Sequence, residues 1–405
     1  MDQTTQDTGV LSCPVCGGLD HHSLVSAHDV PIIACLFAFS YEQALASPRG
    51  DIELVVCDDC GHVYNRLFAE DKLTYTGAYE NTLGFSRRHR AYVETKVENL
   101  IVQHDLRNKV VVEIGCGAAH MLRHLCRAGA NRGIGYDPSR ESVPPEPVGP
   151  GSVEIIGASF DDVNLDTKID VVCSQHVLEH LPHPVDTLRK ARDLLVWGGL
   201  ALIEVPNADS IFRDMNIWDL TYEHISYFSP RSLNRALTDG GFSILRMDTG
   251  FGDQYLVAEA EAADFPEPDA SQQIPAPDII STFPERYGQA IAAWQRRLEE
   301  WRADSRKVVL WGAGTKAVAF LNILAPAGAE QIEYVIDINP RKAGRFIPGT
   351  GQEIKEPVFL KRYRPDVVIV MNPEYVDEIE AQVRALSLGC EVMTATGTAL
   401  SVQSK

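Results

Sequence analysis

The chain has 405 residues, 45% of them hydrophobic, with 56 acidic side chains against 37 lysines and arginines and a formal charge of −19 at pH 7. That length predicts two or three domains and a sizeable core. The acidic balance excludes nucleic acid or an anionic membrane surface as the main partner, and it leaves room for a local basic pocket that takes a phosphorylated small molecule.

The start, Met1-Asp-Gln-Thr-Thr, is polar and has no basic or apolar signal region. No run is long and apolar enough to span a bilayer, so a cytoplasmic location is expected, with no membrane partner. Residues 1–11 read as disordered. The nine cysteines fit reduced thiols and a metal site better than a disulfide framework. Cys13-Pro-Val-Cys16-Gly and Cys57-Asp-Asp-Cys60-Gly form two Cys-x-x-Cys knuckles, each followed by a glycine that lets backbone amides turn toward the thiolates. Four thiolates make a tetrahedral zinc site with no open position for water, so Cys13, Cys16, Cys57 and Cys60 are expected to hold a structural Zn2+. Cys35, in an apolar stretch, reads as core, and His62 as surface. Ile52–Cys57 reads as a strand feeding the second knuckle. The connector from 70 to 90 is rich in aromatics and reads as a lid, with Tyr75 or Tyr79 facing a substrate. A helix is expected from Ala91 to Gln103.

The most informative stretch follows. Lys109-Val-Val-Val-Glu-Ile reads as a buried parallel strand. It turns at Gly115-Cys-Gly117 into an apolar-periodic helix, and glycines at such a turn let a ligand approach the backbone. Glu113 before the turn repels pyrophosphate and suits a cationic ligand. A second strand, Gly133–Tyr136, ends in Asp137, where ribose hydroxyls can be held. Then come Gly157-Ala-Ser159-Phe160, a strand over Ile169–Ser174 with Gln175 after it, Leu178-Glu179-His180, and Gly198–Val205. Aromatics, an acid and a histidine crowd into Thr221-Tyr222-Glu223-His224-Ile-Ser-Tyr227-Phe228. Ser229-Pro-Arg starts a helix, and two strands close the unit, over Phe242–Met247 and near Gly252–Ala260. Residues 262–278 are rich in proline and acid and read as a linker. Phe283–Asp304 reads as a helix with Trp294, Leu298 and Trp301 packing along one face. The last region repeats the strand–turn–helix pattern as Lys307-Val-Val-Leu-Trp-Gly312-Ala-Gly314-Thr-Lys316. It lacks the preceding acid and carries an ammonium, so its helix N-terminus is expected to take a substrate phosphate through Gly314 and Lys316.

In this order, the elements over residues ~85–250 resemble a class I SAM-dependent (S-adenosylmethionine-dependent) methyltransferase. That resemblance implies a Rossmann-like α/β core with SAM held by Glu113, Gly115, Gly117, Asp137, Ser159, Phe160, Gln175 and Tyr79. Adding the four-cysteine module, the Glu223-His224…Tyr227-Phe-Ser229 segment, and Gly-Ala-Gly-Thr-Lys with Asp337–Thr350, nearly the whole chain resembles the nucleotide-sugar C-methyltransferases. Those enzymes methylate C3 of thymidine-diphosphate 4-keto-deoxysugars. The implied organisation is an N-terminal zinc module over 1–70, a SAM-dependent methyltransferase domain over 71–262, a linker over 263–282 and a smaller C-terminal Rossmann-like domain over 283–405, as a monomer or homodimer.

By the same resemblance His224 is the base, Glu223 positions the substrate, and His180 donates to the enolate oxygen. Tyr222 is a further catalytic candidate and Tyr75 a substrate contact. Where the family commonly reads Tyr-His-Glu-His, this chain reads Thr221-Tyr222-Glu223-His224; a one-residue shift points a side chain elsewhere. Two other readings share these residues: O- or N-methylation of a sugar or natural-product intermediate on the same architecture, and a non-catalytic binding protein with a vestigial SAM fold. Intact Glu113, Gly115, Gly117 and Asp137 argue against the last.

Overall fold

A computed structural model of the chain describes residues 12–396, except 164, 166, 265, 267–276 and 326–329. The expected disorder of residues 1–11 and most of the proline-rich linker lie outside the described residues. Three sheets carry the architecture.

The first is antiparallel. It pairs β1 (His21–Pro31) with β2 (Arg49–Cys57), β2 with β3 (Val63–Asn65), and β3 with the short β10 (Ser226–Tyr227). The fourth strand therefore comes from 160 residues downstream, roughly, and ties the cysteine module to the Glu223-His224 segment. Short helix α1 (Tyr41–Leu45), capped by Ser40, fills the β1–β2 connection. His62 is a correction to the surface expectation. It is fully buried, stacked on Tyr64 and tilted against Phe228, with no hydrogen bond to either ring nitrogen. Burial pushes its pKa down to about 3, because the cation would lose its hydration.

The second sheet has eight strands in the order β11-β12-β9-β8-β4-β5-β7-β6. Its centre is parallel: β4 (Val110–Ile114), β5 (Arg132–Tyr136), β7 (Gly151–Ile156), β8 (Ile169–Gln175) and β9 (Leu195–Pro206). The flanks are antiparallel: β6 (Val143–Val148) beside β7, and β12 (Tyr255–Ala262) then β11 (Phe242–Gly250) beside β9. Valines 111 and 112 of β4 are fully buried on opposite faces, as expected of a central strand covered on both sides. Helix α2 (Arg87–His104) is capped by Ser86 and longer than the sequence suggests. Helix α3 (His120–Gly129) buries Met121, Leu122, Leu125 and Cys126, a one-face stripe. Helices α4 (Pro184–Leu194), α5 (Ala208–Arg213) and α6 (Pro230–Asp239) follow, the last with a Ser229–Ser232 capping box and proline in its first turn.

Helix α7 (Pro277–Ala303) begins inside the segment expected to be linker. It buries Phe283, Trp294, Leu298 and Trp301 in one cluster with Val30 and Leu54 of the first sheet, Trp218 and Phe320. Trp294 meets Phe320 edge-on at 5.0 Å, and Trp218 Nε1 donates to the Ala395 carbonyl at 2.6 Å. Each such large side chain contributes about 1.5–3 kcal/mol by burial. The cysteine module and the C-terminal domain thus share a core. That domain is the third sheet, all parallel, in the order β15-β14-β13-β16-β17. It comprises β13 (Val308–Trp311), β14 (Ile332–Ile336), β15 (Glu353–Lys355), β16 (Val367–Val370) and β17 (Glu391–Thr394), with α8 (Thr315–Ile323) after β13. Among the described residues no helix is long and apolar enough to cross a membrane.

Candidate active site between the two glycine turns

At the C-terminal end of β4, Gly115 and Gly117 take φ of +64° and +51°. The Gly117 N–H donates to Asp137 Oδ2 at 2.8 Å, and Ser139 N–H donates to Asp137 Oδ1 at 2.9 Å. Asp137 thereby fixes the loop that a ligand would touch. Glu113 is buried, its Oε2 has no hydrogen-bond partner, and burial raises its pKa to about 8. A buried carboxyl with one unpartnered oxygen, whose ionised form a nearby cation would favour, below a glycine turn that stays open at Gly117 fits a cationic ligand with a ribose, as SAM is. A Cβ on Gly115 would run into the Val177 side chain. Gly115→Ala is therefore expected to weaken SAM binding at least about tenfold, measured by calorimetric titration; unchanged affinity would remove this turn from the donor site.

Other expected donor contacts are placed differently. Ser159 Oγ caps the turn Phe160–Asp162, and Phe160 is buried edge-on to Tyr136 at 5.8 Å. Gln175 Nε2 donates to Glu204 Oε1 at 2.9 Å, so its amide serves a neighbouring acid. Tyr79 packs edge-on to Tyr75 at 5.2 Å and faces Glu223 rather than the glycine turn. The loop that carries both tyrosines runs past Ser139 and His120, beside the glycine turn. An added Cβ at Gly77 would come within 3.7 Å of the Ser139 carbonyl, and one at Gly84 within 3.2 Å of His120 Nε2.

Glu223, His224 and His180 come together, and the space around them is the cleft. Glu223 is 1% exposed; its Oε2 accepts from the Ala34 N–H at 2.9 Å, and its Oε1 has no hydrogen bond. Burial raises its pKa to about 7. His180 and His224 stand edge to face at 4.8 Å. His180 Nδ1 lies 3.0 Å from the Glu223 carbonyl and 3.4 Å from the Tyr75 hydroxyl. If Nδ1 carries the proton toward that carbonyl, Nε2 is the free lone pair. Nδ1 of His224 has no partner. Both rings are reached from the cleft yet surrounded by protein. Burial depresses both, His180 to about 4 and His224 well below the usual range, the latter also through the His180, His176 and Lys316 charges.

Tyr222 is a correction. It is fully buried beside Phe68, with its hydroxyl accepting from the Ala69 N–H at 3.1 Å and no position in the cleft. Next to Glu223 and His224 in sequence, it points into the first sheet's core. Two neighbours of the trio Glu223, His224 and His180 carried no sequence signal of their own, His176 and Glu204, and Glu179 showed only as part of Leu178-Glu179-His180. Glu179 is 1% exposed with neither oxygen hydrogen-bonded, 4.0 Å from His180 Nε2.

The C-terminal turn faces the same cleft. Thr315 Oγ1 at the start of α8 is 3.6 Å from Cys35 Sγ, and the Lys316 charge reaches His224. Gly314 is the helix N-cap, with open space where a Cβ would be. The Lys316 ammonium is not free: it pairs with Asp219. This turn repeats the donor turn bond for bond. Ala313 N–H donates to Asp337 Oδ2 at 2.8 Å, and Asn339 N–H donates to Asp337 Oδ1 at 2.8 Å. The charge on the aspartate separates them. Buried Lys342 Nζ sits 3.3 Å from Asp337 Oδ2, so the acid is neutralised internally.

The four knuckle cysteines converge. Cys13 and Cys60 sulfurs are 3.6 Å apart, Cys16 and Cys57 3.5 Å, and all four lie within 4.8 Å of one another. Tetrahedral bonds of 2.3 Å place sulfurs about 3.8 Å apart, so the set fits a zinc ion. The two knuckles are superposable turns, Gly17 N–H to the Cys13 carbonyl and Gly61 N–H to the Cys57 carbonyl, each at 2.8 Å.

Against known proteins, a methyltransferase-domain family matches residues 85–246, and a C-methyltransferase C-terminal domain family matches residues 256–394. The C-methyltransferase NovU of Streptomyces niveus is 26% identical over 390 residues, spanning 91% of this chain and 90% of NovU. A tRNA U34 carboxymethyltransferase of Shewanella sp. (strain ANA-3) is 30% identical over 105 residues, 24% of this chain and 32% of its own length. Among solved structures, the magnesium protoporphyrin IX methyltransferase ChlM of Synechocystis PCC 6803 with bound SAH aligns at a TM-score of 0.35 and 18% identity, over 44% of this chain and 84% of that one.

Proposed function

This chain belongs to the SAM-dependent methyltransferases that carry a C-methyltransferase C-terminal domain, and from that premise we propose that it methylates a carbon beside the ketone of a nucleotide-linked 4-keto-deoxysugar. The observation that carries the reading is the trio His224, His180 and Glu223, with unpartnered His224 Nδ1 and Glu223 Oε1, in a cleft between the donor turn and the C-terminal turn. A carbon next to a ketone is acidic enough for a protein base to deprotonate once the enolate oxygen is stabilised. SAM, held at Gly115, Gly117 and Asp137, supplies an electrophilic methyl group.

The protein's own part is proton handling and orientation. His224, kept neutral by burial, accepts the proton. The Tyr75 hydroxyl is the donor to the keto oxygen, and neutral His180, its Nδ1 proton turned to the Glu223 carbonyl, offers the Nε2 lone pair to a sugar hydroxyl. Glu223 orients a sugar hydroxyl, and its carboxyl is held by the Ala34 amide. The N-terminus of α8 at Gly314 takes the nucleotide phosphates, helped by Lys316, with Asp337 already neutralised by Lys342 and so less repulsive to an anion. The lid loop 73–86 keeps the cleft dry. Cys13, Cys16, Cys57 and Cys60 hold a structural zinc ion outside the reaction. The small-molecule chemistry and the acidic surface fit a cytoplasmic biosynthetic enzyme.

The test incubates the protein with SAM and a panel of nucleotide-linked 4-keto sugars. A mass gain of one methylene, localised to carbon by carbon-13 NMR, is expected. A methyl found on oxygen or nitrogen, or no gain from a protein that binds SAM, would overturn the carbon reading in favour of heteroatom methylation.

A further inference from the structure

His176 follows β8 directly and takes φ of +54°, a conformation costly for a side chain with a Cβ and persistent only where its surroundings impose it. The surroundings are specific. Its N–H donates to the Glu204 carbonyl at 2.9 Å, and its ring stands edge-on to Tyr255 at 4.4 Å. Nε2 is 3.3 Å from Glu204 Oε1, and Nδ1 is 3.8 Å from Glu179 Oε1. Neither contact is well aligned as a hydrogen bond, but both place a carboxylate against a ring nitrogen. A neutral imidazole has one N–H and one lone pair, and the lone pair would face a carboxylate; only the imidazolium suits both.

We propose that His176 is a positioning residue for methyl transfer: pinned as an imidazolium between Glu204 and Glu179, it is a fixed cation that keeps His180 and His224 neutral and ready to take a proton. The role assigned to it rests on the reading of His224 as the base. The groups facing it are Glu204 from β9, Glu179 from the turn after β8, Lys96 and His89 from α2, Tyr255 from β12, and His180 and His224 across the cleft. Glu204 is itself held by Lys96 Nζ at 2.8 Å and by the Tyr92 hydroxyl. Neither Glu179 oxygen has a hydrogen-bond partner; burial raises its pKa to about 7 and the His176 charge opposes that rise, so the cation is what favours its ionised form. Burial opposes the His176 cation, and the Glu204 contact with the Glu204 and Glu179 charges outweighs it, raising its pKa. His180 and His224 move the opposite way: His180 through burial and then the His176 charge, against the bond to the Glu223 carbonyl, and His224 through burial and then the His180, His176 and Lys316 charges.

The first readout needs no substrate. Imidazole nitrogens of 15N-histidine-labelled full-length protein are titrated by NMR, with the His176 signal identified by its loss in H176N and in H176K. Asparagine tolerates the left-handed conformation, and lysine restores a cation. His176 is expected to be protonated at pH 7. In H176N, the titrations of His180 and His224, and the acid limb of the methyl-transfer rate, are expected to move up by about one pH unit, and H176K to move them back. A His176 that is neutral at pH 7, or His180 and His224 titrations unmoved in H176N with SAM binding intact, would overturn the proposal. Failure to methylate any keto sugar would touch only the substrate reading, because the titrations are read without one.

Discussion

Replacing His224 with alanine is expected to lower the methyl-transfer rate by about 10²–10⁴-fold, the range for loss of a positioned general base, with SAM affinity unchanged. The separation follows from placement. The donor turn is held by bonds among Gly117, Asp137 and Ser139, none of which involves His224. The His224 ring meets His180 at 4.8 Å and Tyr227 at 5.9 Å and closes no hydrogen bond at Nδ1, so its removal leaves the fold's bonds in place. The pH dependence has a definite sign. Burial holds the folded-state pKa of His224 well below 6.5; the base is therefore neutral across pH 6.5–8, and the rate falls only as pH drops through that depressed value. Single-turnover rates with saturating SAM, beside calorimetric SAM binding, check both parts. Near-normal turnover in H224A would take this ring out of the chemistry.

The donor half of the site was legible because its signals are local. A run of valines, two glycines and an acid at the next strand end specify a strand, a turn and a ligand edge within thirty residues, roughly, and each choice agrees with the others. The second glycine turn was legible for the same reason. Illegible parts depend on distant partners. Strand β6 contains Pro144, Pro145 and Pro147, which argue against a strand; it survives as an edge, pairing with β7 alone, where a missing N–H costs little. Two-residue β10 has no pattern to read. Tyr222 lies in an aromatic stretch that supplies both the core and the site, and it shares with Glu223 the middle of a tight turn closed by the His224 N–H on the Thr221 carbonyl, which the sequence pattern does not orient. Lys316 reads as a free ammonium until Asp219 is seen against it. His176, Glu179 and Glu204 gain meaning only together, since their link is one left-handed residue and carboxylates from two different elements.

The largest expected loss of stability comes from the cysteine module, and the structure carries it further than the sequence suggests. From the motif alone, Cys60→Ser should cost zinc and stability without touching the chemistry. The sheet order says otherwise. Cys57 ends β2, Cys60 leads into β3, and β3 pairs with β10, two residues past His224. The Asn65 N–H donates to the Ile225 carbonyl at 2.8 Å, and the Ala34 N–H holds Glu223 Oε2. Thiolate ligands bind metal only as a set, so a missing ligand forfeits most of the binding energy that folds such a module. Cys60→Ser is therefore expected to release zinc and cost more than about 4 kcal/mol. The melting temperature should fall by on the order of 10 °C. Because the freed strands also position Glu223 and His224, turnover should fall with stability, even at temperatures where the donor domain still binds SAM. Metal content, thermal melting and methyl-transfer rate on the same sample test this. A zinc-replete C60S protein of unchanged melting temperature would remove the four-thiolate centre. A zinc-free variant with normal turnover would uncouple the module from the cleft.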